Sequence, residues 1–131
     1  MLECLILGDS IAVGVHSTRP DCAVYAKGGI NSRDFVNKYI GKDLVAETVL
    51  ISLGSNDYAQ IKTKNELLDL RSQVLAKKVY WVLPAIKPNI QEIVEEVANK
   101  HGDWIIRIPN LSKDGIHPTR QGYKKIGEII K

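Results

Sequence analysis

Short apolar runs alternate with stretches of helical period along the whole chain. Leu2 to Leu7, Cys22 to Ala26, Thr48 to Leu53, Val79 to Leu83 and Trp104 to Ile108 are short and rich in β-branched or large apolar residues, which predicts five strands. Between them the apolar positions take helical spacing. Ile90, Ile93, Val94, Val97 and Ala98 share one helix face, with Glu92, Glu95, Glu96 and Lys100 on the other. A second pattern runs through Leu67, Leu68, Arg71, Val74 and Leu75, a shorter one through Phe35, Val36, Tyr39 and Ile40, and a last one through Tyr123, Ile126, Ile129 and Ile130. With a further helix opening at Ser10, the alternation predicts right-handed βαβ units around a parallel sheet. The expected fold is a flavodoxin-like three-layer α/β/α sandwich with a five-stranded sheet, most simply in the order 2-1-3-4-5. Ligands of such sheets bind beyond the carboxyl ends of the strands, at the switch between the first and third.

The 131 residues suit one domain over positions 1–131, and 44% hydrophobic residues can fill its core without disulfides or metal. Charged residues make up 25% of the chain, an average soluble composition that argues against disorder. The 18 Lys and Arg exceed the 15 Asp and Glu by only three, and the sole adjacent pairs are Lys77-Lys78 and Lys124-Lys125. No basic stripe marks a nucleic-acid partner. No apolar stretch reaches the length of a membrane span, and the start from Met1 to Gly8 lacks a basic segment and a small-residue cleavage site. The expectation is a cytoplasmic chain, or one otherwise without a cleavable signal peptide. Cys4 and Cys22 are read as reduced, buried small hydrophobes without function. Trp81, Trp104, Tyr25 and Tyr80 fall in or beside strands and read as core.

Chemistry concentrates where strands end. Gly8-Asp9-Ser10-Ile11-Ala12 follows the first strand and delivers a serine to a helix start, where the first N–H groups lack partners. Gly54-Ser55-Asn56-Asp57 follows the third strand and brings an amide side chain to the same edge. Lys27-Gly28-Gly29-Ile30-Asn31-Ser32 follows the second, where bare glycine backbone can bring an N–H close to a ligand. A hydroxyl with convergent donors has the parts of a nucleophile and an oxyanion hole. A serine needs a base, and His117 in Asp114-Gly115-Ile116-His117-Pro118 comes to that edge after the fifth strand, with Asp114 close enough to hold its ring. His16 and His101 lack such a setting and read as surface residues. Asp9 and Asp57 read as loop supports that accept backbone N–H bonds.

These four segments, in this order, resemble the four sequence blocks of the SGNH or GDSL hydrolase superfamily. The resemblance runs from Gly8 to Gly122 and implies a flavodoxin-like sandwich with serine esterase activity. It makes Ser10 the nucleophile, Asp114 and His117 its triad partners, and the Ser10 N–H, the Gly29 N–H and the Asn56 amide the oxyanion donors. Gly28 is the alternative to Gly29; Ser32, three residues after Gly29, favours the latter. Tyr58, just after Asn56-Asp57, is a candidate lining residue for the substrate.

Rival readings explain fewer of these residues. Asp114 and His117 offer too few ligands for a closed zinc site, and no metal or cofactor is called for. An α/β-hydrolase would not put its serine after the first strand, nor aspartate and histidine in one loop. A receiver domain would use Asp9 and Asp57 but leave Ser10 and His117 idle. Nucleotide-binding glycine patterns are absent. The expected substrate is a small ester, such as an O-acetyl group on a carbohydrate, because a short chain has little material for a deep pocket. The alternative is a catalytically silent module of the same fold that binds carbohydrate or protein.

Overall fold

The computed structural model describes residues 1–130. Five strands, β1 (Leu2–Gly8), β2 (Ala23–Ala26), β3 (Leu44–Ser52), β4 (Val74–Leu83) and β5 (Trp104–Arg107), form one sheet in the order β2-β1-β3-β4-β5. Every pairing in it is parallel. Five helices connect and follow the strands: α1 (Ser10–Thr18), α2 (Ser32–Tyr39), α3 (Thr63–Ser72), α4 (Pro88–His101) and α5 (Arg120–Ile129). The sheet order and fold class agree with the expectation.

Side chains alternate across the strands, so the sheet separates two cores. Leu5, Leu7, Val49, Ile51 and Trp81 face Phe35, Leu67 and Val94 of α2, α3 and α4. Cys4, Ile6, Leu50 and Val82 face Ile11, Val15 and Ile126 of α1 and α5. β1 and β3 are covered on both sides, which is why they read as nearly unbroken apolar runs. Trp81 is fully buried, and its indole N–H donates to Asp103 at 2.9 Å, while Arg71 grips the same carboxylate at 2.7 and 3.0 Å.

Several expectations require correction. β3 begins at Leu44 rather than Thr48, and β4 at Val74 rather than Val79. Val74 and Leu75, which extend the helical pattern of α3, instead pair with Leu44 and Val45. Burial of Val74 and ladder hydrogen bonds along the extended β3 outweigh the continued helical period there. Cys4 and Cys22 are not free thiols but form a disulfide across a Cα–Cα distance of 4.9 Å. Leu5 pairs with Ala23, so the register of β1 and β2 sets the two cysteines side by side. Trp104 is 61% exposed rather than core, because β5 is an edge strand; it stacks on half-buried Tyr80, with ring centroids 6.5 Å apart.

Candidate active site

The first strand leaves the sheet under tight control. Gly8 has φ 141°, and a Cβ there would lie 1.9 Å from the carbonyl oxygen of Ser52, so only glycine can pass beneath β3. The next residue, Asp9, is fully buried and caps α1: one carboxylate oxygen accepts from the Ile11 N–H at 3.0 Å and from the Ser52 hydroxyl at 3.1 Å. The Asp9 N–H donates to the Ser52 carbonyl at 3.0 Å. Burial pushes the Asp9 carboxyl up to about 6, against the lowering effect of those donors. These contacts fix Ser10 as the first residue of α1, where its own N–H has no intrahelical partner.

The Asp114 loop is equally built. The Ser112 N–H donates to the His117 carbonyl at 2.8 Å, and Leu111 bridges to Pro118, so the segment folds back on itself. One oxygen of Asp114 accepts from the Ser112 hydroxyl, the Ile116 N–H and the His117 N–H at 2.7, 2.8 and 2.9 Å. Its other oxygen meets Nδ1 of His117 at 2.7 Å. The backbone N–H groups of His117 and then Ile116, followed by the imidazole, hold the carboxyl well below the usual carboxylate range. An ionised Asp114 can only accept, so Nδ1 carries the proton and Nε2 offers its lone pair. That lone pair faces Ser10, with Oγ to Nε2 at 2.9 Å. The structure thus brings Ser10, His117 and Asp114 into one hydrogen-bonded row whose base and acid are open to solvent, with the side chains of His117 and Asp114 38% and 47% exposed.

The other expected residues surround this row unevenly. Gly28 sits beside it, since a Cβ there would lie 4.0 Å from Ser10 Cβ, while Gly29 takes the left-handed turn at φ 79° with open space around it. Asn56 reaches the same loop by donating one amide hydrogen to the Ile30 carbonyl at 3.0 Å, which leaves its second hydrogen for another acceptor. Asp57 supports the loop, as read from sequence, by accepting from the Ser32 N–H at 2.8 Å and the Thr63 hydroxyl at 2.7 Å. Tyr58 is not in the row; it stands half exposed on the rim, where its hydroxyl accepts from Arg33 at 2.9 Å. His16 and His101 are half-buried rather than fully exposed, and each is bonded locally, to the carbonyls of Cys22 and Val97.

Sequence reasoning missed Ser52, Ser112 and Lys87. Lys87 is the least expected. Its ammonium donates to the carbonyls of Ser55 and Asp57, both at 2.8 Å, and so spans the loop on either side of Asn56. A lysine directly before the helix-opening Pro88 was the one available signal. A cavity of about 290 Å³ is lined by Lys27, Gly28, Gly29, Asp34 and Lys38, and Gly28 brings it beside Ser10. A second, of about 640 Å³, begins at Asp57 and Tyr58 and includes Lys87, which ties it to the Asn56 loop rather than to the row itself.

No protein-family model matches the sequence, and no curated protein does. Solved structures match in fold. A proposed acylhydrolase from Bacteroides fragilis NCTC 9343 aligns at a TM-score of 0.71 with 20% identity, over 98% of this chain and 84% of the other. A proposed GDSL-like lipase from Bacteroides ovatus ATCC 8483 aligns at 0.66 with 15% identity, over 99% of this chain and 96% of that one. The fold is that of GDSL-like lipases. A two-domain esterase active on acetylated mannans also aligns, at a TM-score of 0.58 with 14% identity, over 98% of this chain and 47% of the other.

Proposed function

We propose that the chain is a serine ester hydrolase of the SGNH or GDSL type, acting on small acyl groups such as O-acetyl on a carbohydrate. The observation that carries this reading is the row from Ser10 Oγ through His117 to Asp114, with contacts of 2.9 and 2.7 Å. In it, Oγ forms a bond to the ester carbonyl carbon while its proton passes to Nε2, and the imidazolium that results faces the ionised Asp114. The oxyanion of the tetrahedral intermediate takes the N–H of Ser10, the N–H of Gly29 and the second amide hydrogen of Asn56. Nε2 then returns the proton to the departing alcohol oxygen as the carbon–oxygen bond breaks. Water repeats the sequence on the acyl-serine, giving the free acid and restoring Ser10.

Openness at His117 and Asp114 supports a small acyl group, since a long chain would find little apolar wall beside the serine. The esterase of like fold that acts on acetylated mannans supports a carbohydrate as the alcohol part. The test is a series of p-nitrophenyl esters from acetyl to octanoyl, with Ser10→Ala as control. Hydrolysis should be fastest for acetyl and vanish in the variant. Inactivity toward every member would favour the silent binding module instead.

A further inference from the structure

The 640 Å³ cavity has the size of a small-molecule site and an uneven charge. Its floor is apolar, with Ile61, Ile90 and Ile93, whereas Lys62, Lys64 and Lys87 stand around it. The one acid in the lining, Asp57, turns its carboxylate inward to Ser32 and Thr63 and is buried. Lys64 is paired outside the cavity with Glu96 at 3.0 Å. Lys62 carries no ion pair among the described residues, and Lys87 spends two of its three hydrogens on the carbonyls of Ser55 and Asp57. Two ammonium groups are therefore left for a ligand.

The position of Lys87 is costly and fixed. Its backbone lies in the left-handed region at φ 61°, where a lysine costs on the order of 1 kcal/mol, yet its ammonium is held at two points. The starts of α3 and α4 also border the cavity, at Thr63 and Asn89, and neither helix has a side-chain cap. Their unpaired N–H groups add to the positive potential that the lysines create. The smaller cavity carries Lys27 and Lys38 against one acid, Asp34.

We propose that the cleft between Tyr58 and Lys87 is a substrate subsite for an oxyanion group, carboxylate or phosphate, carried by an acylated sugar. Lysine is a point charge and accepts either anion. Because Lys87 grips the carbonyls on both sides of Asn56, the anion would sit against the same loop that presents the Asn56 amide. The subsite deepens the ester hydrolase reading and rests on it for the place of the ester, but its occupancy can be measured without any hydrolysis.

The experiment titrates the ¹⁵N-labelled chain with trigalacturonate, with glucose 6-phosphate and with neutral mannotriose, while p-nitrophenyl acetate hydrolysis is followed separately. The expected result is saturable binding of at least one anion, with shifts centred on Lys62 to Asn65 and on Asn89. Mannotriose should move these amides much less. Lys62→Glu should weaken anion binding at least about threefold, as should raising salt from 0.02 to 0.2 M, whereas Lys124→Glu, the same charge change on α5, should not. The tighter anion names the group. Failure of both anions to bind, shifts centred elsewhere, or equal binding of mannotriose would each overturn the proposal, whether or not the acetate ester is cleaved. Failure of hydrolysis alone would strike the esterase reading and leave the subsite to the titration.

Discussion

Asp114→Asn separates the role of charge in the row from the folding of the loop. The Asn carbonyl oxygen can keep all three donors that Asp114 now receives on one oxygen, from Ser112, Ile116 and His117. The new amide nitrogen would replace the oxygen that meets Nδ1 at 2.7 Å, and it can only donate. Nδ1 must then accept, the ring proton moves to Nε2, and the lone pair that faces Ser10 is lost. A wrong tautomer of this kind costs about 10⁴ in kcat in a buried triad. Here both side chains are more than a third exposed, so water can stand in for part of the lost partner and the expected loss is about 10³. The assay is kcat for p-nitrophenyl acetate beside a thermal melt, whose midpoint should fall modestly, because the loop bonds persist but lose the charge of an ionised, solvent-exposed acceptor. Ser10→Ala combined with Asp114→Asn should be no slower than Ser10→Ala alone, since the residues act as a unit. A single variant within tenfold of the parent rate would refute the assignment of Asp114.

Three further outcomes follow from the same geometry. Asn56→Ala should lower kcat by about 10² to 10³ if its free amide hydrogen meets the oxyanion, and an unchanged kcat would remove it from the hole. Reducing the Cys4–Cys22 bond, which closes a separation of 18 residues, should cost about 3 kcal/mol in denaturant unfolding, whereas two titratable thiols in the unreduced, unfolded chain would show that no bond exists. Asp9, raised from 3.8 to about 6, binds protons more tightly folded than unfolded, so it should erode stability by on the order of 3 kcal/mol as pH climbs from about 4 through 6. Asp114, shifted the opposite way, contributes stability that disappears only as pH falls below the usual carboxylate range. Asp9→Asn should flatten the slope between pH 4 and 6, and an unaltered slope would place its origin elsewhere.

The row was legible because Ser10 closely follows the end of β1 and Asp114 and His117 share the loop between β5 and α5, while the alternation implies a parallel sheet of which 2-1-3-4-5 is the simplest order. Ser10, Asn56 and His117 each follow a different apolar run, so naming the runs was enough to place all three at one edge. The disulfide was not legible, because it depends on the register between β1 and β2, and no periodicity encodes register across a crossover. The start of β4 was misread for a related reason: Val74 and Leu75 continue the spacing of Leu67 and Arg71, and only their pairing with Leu44 and Val45 takes them out of the helix. Trp104 reads as core from its composition, yet its exposure follows from β5 lying at the sheet edge. Lys87 and Ser52 act through contacts with other loops, which a chain read in one dimension does not display.

Intact-mass analysis after treatment with a fluorophosphonate tests the nucleophile most directly. One adduct per chain should form on Ser10, and it should be absent after prior heat denaturation and in Ser10→Ala. Labelling that persists in Ser10→Ala, or none in an enzyme that cleaves p-nitrophenyl acetate, would contradict a serine nucleophile at this position.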